Sequence, residues 1–252
     1  MRRVWATWRA DAVVLAHRPV VVGTLLVLAA WVAYSTYQQA NVLGIVLTAG
    51  YYLRQGLLAT ALLSWWAVAL VACMVGAVER NGEAEAWRFA QDDARALGWH
   101  RVLLCLAIGL AYVVVIAAIG VAMDAWADLG TAFGLRDLAG FLVVWGVVCL
   151  WSVAAWFLGT VIRNAAVGWA CVVVVFFLLT ALSAWLPVSV ARIFPVWNID
   201  NVLLWCFPQR EAGFMMVPQA PAGRVGLSTA ILVAWLAGFI GASIAYNRRR
   251  QF

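Results

Sequence analysis

The chain has 252 residues, 66% of them hydrophobic and only 11% charged, with a formal net charge of +6. Soluble domains carry roughly 25% charged residues, so a water-soluble globule is excluded. The positive charge has to be read against a membrane, and no nucleic-acid partner is expected. All 17 basic residues are Arg, which with the Ala, Val and Gly excess suggests a GC-rich coding sequence.

Residues 1–18 place Trp5, Trp8, Ala12 and Leu15 at helical spacing, with Arg9, Asp11 and Arg18 away from them. An interfacial amphipathic helix fits this pattern, and a basic tail is the plainer alternative. The same charges interrupt any apolar h-region, so the start is expected to remain uncleaved. Six apolar runs follow, at 19–37, 56–78, 102–123, 138–162, 165–186 and 227–246. Each is near the ~20 residues that ~30 Å of hydrocarbon requires. Lipid offers no partner for backbone N–H and C=O groups, so these runs must be helices, and none shows barrel-like alternation. The expected fold is an all-α membrane protein of six transmembrane helices, with a domain over 19–246 and a short tail at 247–252.

Between the first two runs, Val42, Leu43, Ile45, Val46 and Leu47 are too few to cross. They either rest in the interface or extend a helix. The strongly charged stretch lies at 79–101. Gly82 can supply a bend, after which Trp87, Ala90, Ala94 and Leu97 fall on one helical face while Arg88 and Asp92 pair at i, i+4 on another. A short amphipathic helix over 83–97, parallel to the membrane, is expected. A solvated connector anchored by Trp87 is the alternative.

Arg163 and Asn164 leave almost no link between the fourth and fifth runs, so those helices form a tight hairpin. The segment 187–226 is long yet not polar, carrying Phe194, Trp197, Trp205 and Phe207 among its prolines. Such material lies on the outer leaflet or dips into it, as a re-entrant segment does. In the last run, Ala230, Ala234, Gly238 and Ala242 repeat every four residues, a ridge that allows close helix contact within the chain or between chains.

Twelve Arg (2, 3, 9, 18, 80, 88, 95, 101, 163, 248, 249 and 250) fall on one side of the runs and five on the other. The positive-inside rule therefore puts both termini in the cytoplasm. Cys73, Cys105, Cys149 and Cys171 lie within runs and Cys206 in an outward loop, so packing rather than a disulfide framework is expected. Asp124 and Asp128 sit at the outer mouth of the third run and Glu79 at the inner end of the second. No run holds a mid-membrane charge of the kind coupled carriers keep. His17 and His100 lie at helix ends, no His-Glu-x-x-His run is present, and without Lys no P-loop can be built. No catalytic residue, no metal ligand and no directly bound cofactor is expected. The energy source is expected to lie outside this chain, and any nucleotide hydrolysis to come from a partner.

In layout the chain resembles an ABC transporter permease of the ABC-2 exporter type. After the second run such permeases carry a Glu, then Gly-Thr, then a short helix ending in Arg; Glu79, Gly82 and Arg95 stand at comparable places. Their cytoplasmic hairpin reads small residue, Arg-Asn or Arg-Ser, then Ala, which Gly159, Arg163, Asn164 and Ala165 match. The chain departs from the pattern where Glu83 replaces the Thr and no Pro precedes the Arg. In size it is similar to permeases of antimicrobial-peptide immunity and drug export.

The resemblance implies a bacterial cytoplasmic membrane, a separate P-loop ATPase bringing ATP and Mg, and a second permease, identical or homologous. It makes 83–97 a coupling helix, with Trp87 and Leu97 as anchors and Arg88, Asp92, Asp93 and Arg95 as polar contacts. The substrate path would run under 187–226, past Phe194, Trp197, Trp205 and Phe207, and would take an amphipathic lipid, peptide antibiotic or drug from the bilayer. Two other readings stand beside it. A membrane scaffold would use 83–97 to dock some other protein, and a secondary carrier would be driven by a gradient without ATP.

Overall fold

A computed structural model describes residues 19–42, 47–78, 94–130, 133–162, 164–207 and 225–249. Among them the chain is almost entirely helical, with no strand. The terminal segment 1–18 and residues 79–93 of the charged stretch lie outside the described residues.

The first helix, α1 (Pro19–Val42), turns Ala29, Val32, Thr36 and Ala40 inward, one face at helical spacing. The Thr36 hydroxyl donates to the Val32 and Ala33 carbonyls at 3.0 and 2.9 Å, satisfying itself within the helix. The second run begins earlier than its hydropathy suggests and is broken. Helix α2 (Tyr51–Ala59) leads through a π-turn (Thr60–Ser64) into α3 (Trp65–Val78). In the π-turn the Trp65 N–H reaches the Thr60 carbonyl, one residue further back than in an α-helix. The two halves are bent by 45°. Of the segment between the first two runs, the part from Tyr51 onward extends a helix.

Helix α4 (Ala94–Trp126) is continuous over 33 residues. The last four residues of the expected interfacial helix, 94–97, thus form the start of the long helix rather than the end of a separate one. Helix α5 (Leu135–Ile162) is the most enclosed of the four helices long and apolar enough to cross a membrane, and α6 (Ala165–Trp185) follows it across the hairpin. Pro187 stops α6, whose C-cap Leu186 is extended. A single turn, α7 (Val188–Ala191), leads to α8 (Pro195–Cys206), which has Pro at its first position. The final helix is α9 (Val225–Arg249), which takes in the first residues of the expected tail.

Four of these helices are long and apolar enough to cross a membrane: Arg101–Trp126, Leu135–Ile162, Ala165–Trp185 and Val225–Tyr246. The bent pair Tyr51–Leu62 and Trp65–Val75 makes a fifth if it is one span. This is compatible with a multi-pass membrane protein.

The core runs between α3, α5 and α6, where Trp65 stacks on Trp151 with ring centroids 5.1 Å apart and Phe176 lies against both. Glycines set the closest approaches. A Cβ on Gly159 would lie 2.6 Å from the Cys73 carbonyl oxygen, so α3 and α5 touch backbone to backbone there. Gly168 of α6 meets Gly159 from the other side. Helix α9 packs against α4, α5 and α8. It does so through Leu232, Trp235, Leu236, Phe239 and Ile240, leaving Ala230, Ala234, Gly238 and Ala242 exposed. The small-residue ridge is not used within the described part of the chain.

Candidate functional site

Two places in the described bundle concentrate polar or ligand-accessible structure, and both lie toward the end that carries Gly50 and Gly130. The Gly50 N–H donates to the Gly130 carbonyl at 3.2 Å, joining the loops that precede α2 and follow α4.

At this end a helix start is completed from a distant part of the chain. Gly50, left-handed at φ 74°, is the N-cap of α2 and has no side chain to offer. The fully buried carboxylate of Asp124, on α4, supplies the acceptors instead: the Tyr52 N–H donates to Oδ1 at 2.9 Å and the Leu53 N–H to Oδ2 at 3.1 Å. A negative group here satisfies orphan donors and opposes the positive end of the helix dipole. The contact is possible because α4 presents Gly120, whose Cβ would stand 2.6 Å from Leu53 Cα.

Next to it, Arg54 of α2 grips Asp137 in the first turn of α5. Its Nε donates to Oδ1 at 2.7 Å and its Nη2 to Oδ2 at 3.2 Å, a two-pronged ion pair. Asp137 Oδ2 also accepts the Gly134 N–H at 2.9 Å, capping α5 from its third residue. The Asp137 side chain is 5% exposed and that of Arg54 29%, so the pair is held at the edge of the bundle rather than in open solvent.

The second feature is an apolar groove of about 260 Å³ between α5, α8 and α9, lined by Leu142, Gly146, Leu150, Val202, Thr229, Val233 and Leu236 among others. Its one hydroxyl, on Thr229, donates to the Val225 carbonyl at 2.9 Å. Among the described residues no ionisable group lines it, so this lining suits an apolar chain.

Helix α8 forms one wall and is buried nearly all round despite its polar residues. Asn198 donates to the Arg192 and Phe194 carbonyls, both at 2.8 Å, and Asn201 donates to the Ser228 hydroxyl at 2.8 Å. The Trp235 indole, well down α9, donates to the Ile193 carbonyl at 2.9 Å.

Of the expected substrate-path residues, Trp197 and Phe207 are buried. The Phe207 ring fills the space a side chain on Gly140 would need. Phe194 is half-buried and caps α8 from its backbone, and Trp205 is exposed. None of the four lines the groove. Cys206 is buried, not looped out. Of the expected coupling residues, Glu79, Gly82, Trp87, Arg88, Asp92 and Asp93 lie outside the described residues, and Arg95 and Leu97 fall in the first turns of α4. In the hairpin, Asn164 caps α6: its Oδ1 accepts the Ala166 and Val167 N–H groups at 3.0 and 3.2 Å.

The Arg54–Asp137 pair and the Asp124 cap are not legible in the sequence. Their partners are 83 and 71–72 residues apart, and the only local signal is acids and an Arg at helix ends. Against known protein families, characterised proteins and solved structures, the chain has no match.

Proposed function

We propose that this chain is the membrane-spanning permease subunit of an ATP-driven exporter of the ABC-2 type, with six spans and both termini in the cytoplasm. The observation that carries the reading is the placement of the charged stretch 79–101. It joins the second apolar run to α4 in an otherwise greasy chain, so a partner gripping it has direct mechanical purchase on a long helix. Residues 83–97 then serve as the coupling segment of a P-loop ATPase. Trp87 and Leu97 anchor it, and Arg88, Asp92, Asp93 and Arg95 make the polar contacts.

The groove between α5, α8 and α9 supports a substrate with an apolar chain, such as a lipid, a peptide antibiotic or a drug drawn from the bilayer. Phe194 and Trp205 sit on the same segment, 187–226, whose helix α8 walls that groove and dips back among the others. An ATPase can shift the transport cycle only through different affinities for its two states.

The test is purification of the tagged chain from native membranes in mild detergent, followed by ATPase assay. A stoichiometric P-loop ATPase is expected, with turnover that depends on this chain and falls several-fold in Trp87→Ala while the complex still assembles. Unchanged coupling in that variant overturns the role of 83–97. Absence of any ATPase, with another protein in its place, favours a membrane scaffold.

A further inference from the structure

We infer that the second span is a hinge between two packing units and that the Arg54–Asp137 ion pair is the latch that closes them. Hinge and latch both belong to the bundle itself, and neither requires an ATPase.

The two halves of the broken span belong to different neighbours. Helix α2 packs chiefly on α4, and α3 chiefly on α5 and α6. Each half is fastened to its own partner by a glycine at backbone contact. Gly120 of α4 admits the Leu53 backbone, and Gly159 of α5 admits the Cys73 backbone. Further bonds reinforce each attachment: the Asp124 carboxylate holds the start of α2 to α4, and the Cys73 thiol donates to the Ala155 carbonyl of α5 at 2.9 Å. Helices fastened this closely are expected to move as rigid pairs, with α4 and α5 meeting across the seam where the Trp145 indole N–H donates to the Leu106 carbonyl at 3.0 Å.

Between the halves lie the π-turn and the 45° bend, a lapse in helical geometry of the kind that recurs at functional sites and kinks. Just after the turn, the buried indole N–H of Trp65 has no hydrogen-bond partner among the described residues, nor does that of Trp151, on which it stacks.

Across the seam at the Gly130 end, Arg54 of the α2–α4 unit holds Asp137 of the α5 unit. An ion pair in partly desolvated surroundings contributes little net stability but strongly favours the arrangement in which both charges are matched. Hinge motion absorbed at a few residues between rigid units is an established form of domain movement.

The test is a distance measurement by pulsed electron resonance on the full chain in lipid nanodiscs. Bio-orthogonal spin labels at Thr48 and Leu138, both exposed and neither in the latch, leave the native cysteines in place. The parent is expected to show one short distance population. Asp137→Asn and Arg54→Gln should each add a second, longer one, and the swap Arg54→Asp with Asp137→Arg should return most molecules to the short one. A variant that does not recover as monodisperse protein is replaced by Arg54→Lys, which should produce a smaller shift of the same sign. Unchanged distances in the folded single variants, or no return in the swap, would overturn the latch.

Discussion

Gly120 shows how much a missing side chain can decide. With a Cβ 2.6 Å from Leu53 Cα, α4 and α2 could not meet, and the Asp124 carboxylate could not reach the Tyr52 and Leu53 amides. Gly120→Ala is therefore expected to destabilise the chain by about 1–3 kcal/mol, the usual range for overpacking. Gly159→Ala, whose Cβ would press on the Cys73 carbonyl, should behave alike. Gly146 is the control, because a Cβ there meets nothing within 4 Å and Ala improves helix propensity by up to ~1 kcal/mol. Thermal unfolding followed by intrinsic Trp fluorescence in a single detergent checks all three. Equal midpoints for Gly120→Ala and Gly146→Ala would contradict the close approach. None of this is legible from composition, since Gly146 and Gly120 look alike in the sequence.

Among the helices, the hairpin between α5 and α6 is the most legible joint. A single polar dipeptide between two long apolar runs leaves no other geometry. The structure adds the reason Asn164 stands there: it satisfies two amides at the start of α6. Asn164→Ala should cost about 1 kcal/mol and Asn164→Asp much less, because a carboxylate caps as well. Hydrogen exchange at the Ala166 and Val167 amides is the direct measure, and similar protection in both variants would refute the cap. The hydropathy of the second run predicts one continuous helix, whereas the structure breaks it at Thr60–Ser64. Hydropathy cannot reveal this, because a π-turn changes no side chain's polarity. Helix α8 is equally hidden. Its Asn198, Asp200 and Asn201 look like loop residues, yet all three are buried, Asn198 and Asn201 in hydrogen bonds to neighbouring groups.

Across the bundle, packing fixes which loops share an end, and the proposed topology gives that end a side of the membrane. The Gly50 to Gly130 bond puts the loops before α2 and after α4 together, and the Asn164 hairpin lies at the far end of α5. On the proposed six-span topology twelve Arg lie on the other side, so the Gly130 end is expected to face outward. A membrane-impermeant maleimide should then label Thr48→Cys in intact cells and Ala166→Cys only after permeabilisation. The reverse pattern would invert the orientation. The buried native cysteines 73, 105, 149 and 206 should contribute little background.

The apolar, multi-pass character of the protein and the places where its long helices lie are written in local sequence, and the proposed orientation rests on equally local terms. Partition into hydrocarbon depends on mean hydropathy over ~20 neighbouring residues, and the positive-inside bias on loops next to them, so neither needs the packed bundle. Three-dimensional packing was required for the rest: that Arg54 meets Asp137, that Asp124 caps the start of a distant helix, that α2 and α3 bend at the π-turn, and that the ridge of α9 stays exposed. Those outcomes depend on close backbone approaches between segments far apart in the chain, and on buried polar groups finding partners wherever the packing leaves them.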